Sequence, residues 1–355
     1  MTLRRVQVTD FRCLHQADID LDPHFTLISG PNASGKTSLL EAVYVLGRGR
    51  SFRTRRLHHL IRSSCERFIV FGEVELPERR VAMGIEGSAA GIRARLAGEK
   101  AASLAELATV FPVQIIDPEV HRLIEEGPNR RRRFLDWGVF HVEPAFVTHW
   151  QQYHHVLKQR NAALRARQPR AVISAWDGEL VRFGDLLTQA RARYVAQLAT
   201  QAEVLAQTLL AMQLTLAYRT GWGRDTNLGE ALEMSWVKDQ ESGVTSVGPH
   251  RADLVIRLDG FTVKDRISRG QQKLLAAALL IAQLKLFPED SPVRPTLLLD
   301  DPAAELDGER LAGLIHEVRA QSVQLVVSTL HAEFSAFGIP GHQIRLDGGV
   351  VTAAG

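Results

Sequence analysis

The chain has 355 residues, with 43 Lys plus Arg against 40 Asp plus Glu, a formal charge of +3, and 45% hydrophobic and 23% charged residues. That mix excludes wholesale disorder, and two cysteines exclude a disulfide framework or a Cys-rich zinc site. The small net charge hides an uneven distribution: 36 of the basic residues are Arg, and residues 1–200 sum to +8 while residues 201–355 sum to −5. The longest apolar run, around Leu274–Leu284, is interrupted by Gln283 and falls short of the ~18–20 residues of a membrane span. The N-terminal stretch MTLRRVQVTDFR has no signal-peptide core, and the low cysteine content suits a reducing cytoplasm.

In chain order, residues 3–9 and 25–29 read as strands. The second is short and apolar, and it runs through a Gly-rich loop into an apolar helix from Gly35 to Leu46. Residues 68–76 and Val81 to Ile85 alternate apolar and polar positions around a PERR turn, a meander of antiparallel strands. Residues 113–116 form another strand, followed by Asp117 and Pro118 as a helix cap and first-turn proline. From Phe134 to about Met212 the period is helical, with Leu180, Phe183, Leu187, Ala190, Tyr194 and Leu198 on one face and a break at Gln168-Pro169. Residues 214–258 return to mixed strand and loop; Gly270–Leu286 is a helix, Thr296–Leu299 a buried strand, Asp307–Arg319 a helix and Val323–Val327 a strand. This last strand–helix–strand order implies a right-handed parallel crossover.

Gly30-Pro31-Asn32-Ala33-Ser34-Gly35-Lys36-Thr37 matches G-x-x-x-x-G-K-[ST] in full, and Ser38 follows. The glycines let backbone amides close round phosphates, Lys36 supplies a charge for the outer phosphates, and Thr37 offers a hydroxyl to Mg²⁺. The apolar strand Leu297-Leu298-Leu299 ends in Asp300 and Asp301. Asp300 is expected beside the metal, and Asp301 is expected to orient and deprotonate the attacking water. Ser268, Gly270 and Gln271 open the helix that precedes these acids. Alone they read as a helix N-cap whose remaining amides suit a phosphate.

The order of phosphate loop, Ser-x-Gly-Gln and paired acids resembles the ATP-binding-cassette superfamily. The resemblance implies a cassette head of α/β class with mixed parallel and antiparallel sheets. It implies two ATP molecules, with Mg²⁺, sandwiched in a homodimer, Ser268, Gly270 and Gln271 of one head facing the nucleotide of the other. It also assigns Asp307 to the D-loop, His331 to the switch histidine at the γ-phosphate, Gln114 to the Q-loop and the metal, and Arg12 to a phosphate. Gln114 reads equally as a polar residue in a strand. The phosphate loop and the signature, at 30 and 268, lie further apart than in transporter cassettes. The interval holds an inserted helical lobe with arms of at most ~40 residues, about 60 Å. The expected division is 1–130 and 241–355 for the head, with 131–240 as the lobe.

Several stretches are similar to the RecF family of bacterial recombination mediators: TDFR (9–12), 29–53 around the phosphate loop, FLDWGVFHVEP (134–144), VGPHRADL (247–254), SRGQQK (268–273) and LLLDDPAAELD (297–307). That resemblance implies a cytoplasmic, ATP-dependent DNA-binding dimer that recognises duplex and gapped DNA. With RecR and RecO it would load RecA and displace single-strand-binding protein; ATP would close the dimer and slow hydrolysis would open it. Pro302 and Ala304 depart from the family's D-loop, which commonly has Val and Ser there. An alternative is the ATPase subunit of a membrane transporter, against which stand the helical insertion and the basic window 48–67. That window holds seven Arg and one acid. Arg53, Arg55 and Arg56 are the expected DNA-backbone contacts, the alternative being arginines paired with neighbouring carboxylates.

Overall fold

The computed structural model describes residues 2–263, 266–288, 291, 293–302, 308–330 and 336–354. Its first elements are strands β1 (Thr2–Phe11), β2 (Leu14–Asp20) and β3 (Phe25–Ser29), helix α1 (Lys36–Arg48), strands β4 (Arg67–Glu75), β5 (Arg80–Ser88), β6 (Gly91–Leu96) and β7 (Glu99–Lys100), helix α2 (Leu104–Val110) and strand β8 (Val113–Ile116). A mainly helical stretch follows: α3 (Arg122–Glu125), α4 (Pro128–Val142), α5 (Phe146–Arg165), α6 (Arg170–Ser174), α7 (Asp177–Leu210), β9 (Leu214–Arg219), α8 (Leu228–Met234), α9 (Trp236–Ser242), β10 (Asp253–Leu258), β11 (Phe261–Thr262) and α10 (Arg269–Lys285). The chain closes with β12 (Thr296–Asp300), α11 (Gly308–Arg319), β13 (Gln324–Thr329), β14 (His342–Asp347) and β15 (Val350–Ala354).

Two compact units result, one made of Met1–Val120 with Pro288–Gly355, the other of His121–Phe287. In the first, an antiparallel sheet has the order β2-β1-β4-β5-β6-β7, and a second sheet runs β15-β14-β3-β13-β12-β8. The second is parallel except at β15, so the expected mixture of parallel and antiparallel pairing is present. α1 carries apolar residues all round, as a helix covered on several sides must. Leu39, Leu40, Val43 and Leu46 join one core with Leu3, Val6 and Val70 from the first sheet and Ile28, Leu298 and Val326 from the second. Each such buried side chain contributes about 1.5–3 kcal/mol. In the parallel sheet Asp300 is level with Ser328, and Ser328 with Ile28. The C-terminal ends of β3, β13 and β12 therefore lie side by side, where ligands of open α/β sheets bind.

The second unit is the helical lobe. α7 has 34 residues, about 51 Å at 1.5 Å per residue, and buries Leu180, Leu187, Tyr194 and Leu198 along one stripe. Pro169 sits before the first turn of α6 and breaks the path from α5, so no long coiled coil forms. Its interior holds two fully buried arginines. Arg160 bonds Asp177 (2.7 Å), Asp239 (2.9 Å) and Thr245 (2.9 Å); Arg191 bonds Asp136 and the Pro249 carbonyl, each at 2.8 Å. α10 packs on α7, and Gln283 on α10 donates to the Phe134 carbonyl at 2.9 Å. Helix α10 thus belongs to the unit 121–287, whose limits differ from the boundaries at 130 and 240 drawn on sequence.

Candidate phosphate and metal site

Gly30 leaves β3 at φ 154°, Ala33 sits at 63° and Gly35 at 105°. Gly30 cannot carry a side chain, because a Cβ there would lie 2.1 Å from the Leu346 carbonyl oxygen of β14. On the other flank of the loop, the Gly349 amide donates to the Ser34 carbonyl at 3.0 Å. The turn between β14 and β15 thereby braces the loop from behind, and Pro31, Asn32 and Ala33 stay exposed. No side chain caps the N-terminus of α1 and no acid of the helix itself lies in its first turn, an arrangement suited to an anion.

Lys36 is largely buried and donates to the carbonyls of Gly30 (2.7 Å) and Pro31 (2.8 Å). Burial pushes its ammonium below the ordinary lysine value, while the charges of Asp301 and Asp300 oppose that shift. Thr37 donates from Oγ1 to the Asp300 carboxylate, 3.0 and 2.9 Å from its two oxygens, and Ser328 donates to Oδ1 of Asp300 at 2.7 Å. A strand-end carboxylate and a helix-start hydroxyl, 263 residues apart in sequence, are thus in contact. These are hard oxygen donors of the kind Mg²⁺ takes. Asp301 follows at φ 47°, its amide held by Ser328 through the carbonyl and hydroxyl oxygens, each at 3.1 Å. Ser38 lies in the first turn of α1, with the Cys13 thiol 3.5 Å from its hydroxyl.

Other expected residues are not drawn into this cluster. Gln114 pairs with Leu297, three positions before Asp300 on the neighbouring strand. At about 3.3 Å per residue it stands roughly 10 Å short of Asp300 along the strand direction, because β8 is in register with the body of β12 rather than its end. The Arg12 guanidinium grips the buried Glu41 carboxylate in a two-point pair at 2.9 and 2.7 Å. Arg53 also reaches Glu41, at 3.3 Å, whereas Arg55 and Arg56 are exposed with no carboxylate partner among the described residues. In the lobe, Ser268 and Gln271 form a reciprocal cap: the Gln271 amide donates to the Ser268 hydroxyl (3.3 Å) and the Ser268 amide to Oε1 of Gln271 (2.9 Å). Ser268 is exposed, and its hydroxyl proton stays available to an outside acceptor. Gly270 sits in the first turn of the same helix. Asp307 and His331 lie outside the described residues.

Two features escaped the sequence reading. Glu41 is one; a lone acid in the apolar run SLLEAVYVL was its available signal. The other is His250 in VGPHRADL. Its Nε2–H donates to the Thr245 carbonyl (2.9 Å), so its Nδ1 accepts from the Tyr153 hydroxyl (2.7 Å). Burial lowers this imidazole to about 4, against the help of the Thr245 carbonyl. The arginine run 130–133 is also largely engaged internally: Arg130 pairs with Glu126, Arg131 with Asp253, and Arg132 with the Ala252 carbonyl.

The family model described as RecF/RecN/SMC N terminal domain matches residues 2–340. The DNA replication and repair protein RecF of Escherichia coli O1:K1 is 41% identical over 335 residues, 94% of each chain. The chain belongs to the RecF family. Among solved structures, the recombination mediator protein RecF-ATP in the RecFOR pathway covers 100% of this chain and 98% of its own, with TM-score 0.90 and 25% identity. An Smc head bound to the C-winged helix domain of ScpA shares the fold, with TM-score 0.61 and 16% identity. The RecF and Smc-head likenesses fit the cassette head expected from the motifs.

Proposed function

We propose that this chain is a cytoplasmic ATPase of recombinational repair that closes as an ATP-bound homodimer on duplex and gapped DNA. With RecR and RecO it promotes RecA loading at single-strand gaps. The observation that carries the nucleotide part is the Thr37–Asp300 contact beneath the phosphate loop. Lys36 is held by two loop carbonyls and exchanges them for the outer phosphates of ATP. Thr37 and Asp300 would hold Mg²⁺, which would supply neutralising charge to those phosphates. Asp301 takes the proton of the attacking water; its short side chain suits slow turnover. Ser268, Gly270 and Gln271 present their donors to the nucleotide of the second copy; Asp307 and His331, assigned by the resemblance to the D-loop and the switch histidine, lie outside the described residues. RecF membership favours this reading over the transporter-subunit alternative, and no helix among the described residues is long and apolar enough to cross a membrane.

The test is ATP titration of wild type and Lys36→Ala. Wild type binds ATP and the variant loses at least about tenfold in affinity, 1.4 kcal/mol. Equal affinities sink the nucleotide assignment.

A further inference from the structure

We propose that Glu41 is a positioning residue that suspends the arginine loop 51–60 from the phosphate-loop helix and holds Arg55 and Arg56 toward the DNA backbone. This rests on reading that loop as a DNA contact. Glu41 is fully buried on α1, one turn beyond Thr37. A buried carboxylate is costly unless it is paired and fully hydrogen-bonded. Its partners come from outside the helix: the Arg12 guanidinium at 2.9 and 2.7 Å, Arg53 at 3.3 Å, and the Ser51 hydroxyl.

The chain of bonds continues outward. The Ser51 hydroxyl accepts the amides of Arg53 and Thr54, both at 2.9 Å. The Thr54 hydroxyl accepts the amide of Arg56 at 3.1 Å. One carboxylate thus fixes the backbone from 51 to 56 through two hydroxyls. Phe52 adds an edge-on contact to Tyr44 of α1, ring centroids 5.4 Å apart. The far end of the loop is tied by the Arg12 amide, which donates to the Leu60 carbonyl at 2.8 Å. Arg12 therefore serves both ends, its guanidinium on Glu41 and its amide on Leu60. The outer surface of this tethered loop presents Arg55, Arg56, His58 and His59, all exposed. Arginine forks on a fixed backbone suit phosphate, and the ordering cost of presenting them falls on folding rather than on binding.

The sign of one substitution separates positioning from bulk charge. Glu41→Gln removes a negative charge and releases Arg12 and Arg53, so electrostatics alone predicts tighter DNA binding. Loss of positioning predicts weaker binding. The experiment measures affinity for a random-sequence duplex oligonucleotide by fluorescence anisotropy, at ATP concentrations that saturate each protein. Wild type, Arg55→Ala with Arg56→Ala, Glu41→Gln and Ser51→Ala are compared across salt. Positioning predicts affinity about tenfold weaker for Glu41→Gln and about threefold weaker for Ser51→Ala, despite the higher net charge of the former. If Glu41→Gln does not fold, Ser51→Ala decides, since it breaks the same chain while leaving the Glu41 carboxylate its two guanidinium partners, Arg12 and Arg53. If the Arg55/Arg56 variant binds DNA as wild type does, the loop is not a DNA contact and both readings fall. If that variant is weak while Glu41→Gln and Ser51→Ala bind as tightly as wild type or tighter, the positioning role alone is overturned.

Discussion

Replacing Gly30 by Ala puts a methyl group 2.1 Å from the Leu346 carbonyl oxygen, where ordinary contact begins at 3.4 Å. Both partners are backbone, and Leu346 is paired within a hairpin, so neither rotates away. The loop or the strand must move by the difference, on the order of 1 Å, and displacements of that size cost about 10²-fold in positioned chemistry. An Ala at a positive φ adds strain of about 1–2 kcal/mol. Gly91→Ala is the matched control: its φ is 112° and a Cβ there meets nothing within 4 Å. Both variants should lower the unfolding midpoint through strain. Only Gly30→Ala should also weaken ATP binding, by about 10- to 100-fold or 1.4–2.7 kcal/mol in titration calorimetry. ATP affinity of Gly30→Ala within twofold of wild type would refute the claim that the backbone of β14 at Leu346 fixes the loop.

Asp301→Asn keeps the backbone turn and removes the base, so steady-state ATP hydrolysis should fall by about 10²–10⁴-fold with ATP still bound, and turnover near wild type would remove Asp301 from that role. Ser268→Arg should keep ATP binding and lose ATP-dependent dimerisation; a variant that still dimerises with ATP excludes the cross-dimer role. His250 has its folded-state value lowered to about 4 from 6.5, so between those values the unfolded chain binds more protons and stability falls as pH falls. From pH 6.5 to 5 the loss should be about 1.6 kcal/mol, read from urea midpoints, and His250→Gln should flatten that slope; an unchanged slope in the variant assigns it to other groups.

The site was legible where chemistry is contiguous. The loop from Gly30 to Thr37 and the acids after LLL carry their contexts with them, since a buried strand must precede each and a helix must follow the loop. What sequence could not supply is register and distant bracing. Gln114 sits in a plausible PVQII strand, yet pairing with Leu297 leaves it short of the sheet edge. Leu346 and Gly349 brace the phosphate loop from more than 300 residues away, in a hairpin whose short strands lack a strong apolar pattern. β2, LHQADID, is half polar because its outer face meets water, and the alternation is too brief to read alone. The sequence shows Arg53 among the arginines of its window but not its pairing with Glu41, a buried acid on α1 that must draw in guanidinium partners. For Ser268 the structure shows the helix cap, with its hydroxyl exposed to solvent.

The central claim is that ATP drives two copies together on DNA. Sedimentation with and without ATP and a gapped duplex tests it most directly. The account predicts a species near the single-chain mass of 39.4 kDa without nucleotide, and one of about twice that mass with ATP, which co-sediments with the gapped duplex. A chain that stays at 39.4 kDa with ATP bound, with or without the duplex, would contradict it.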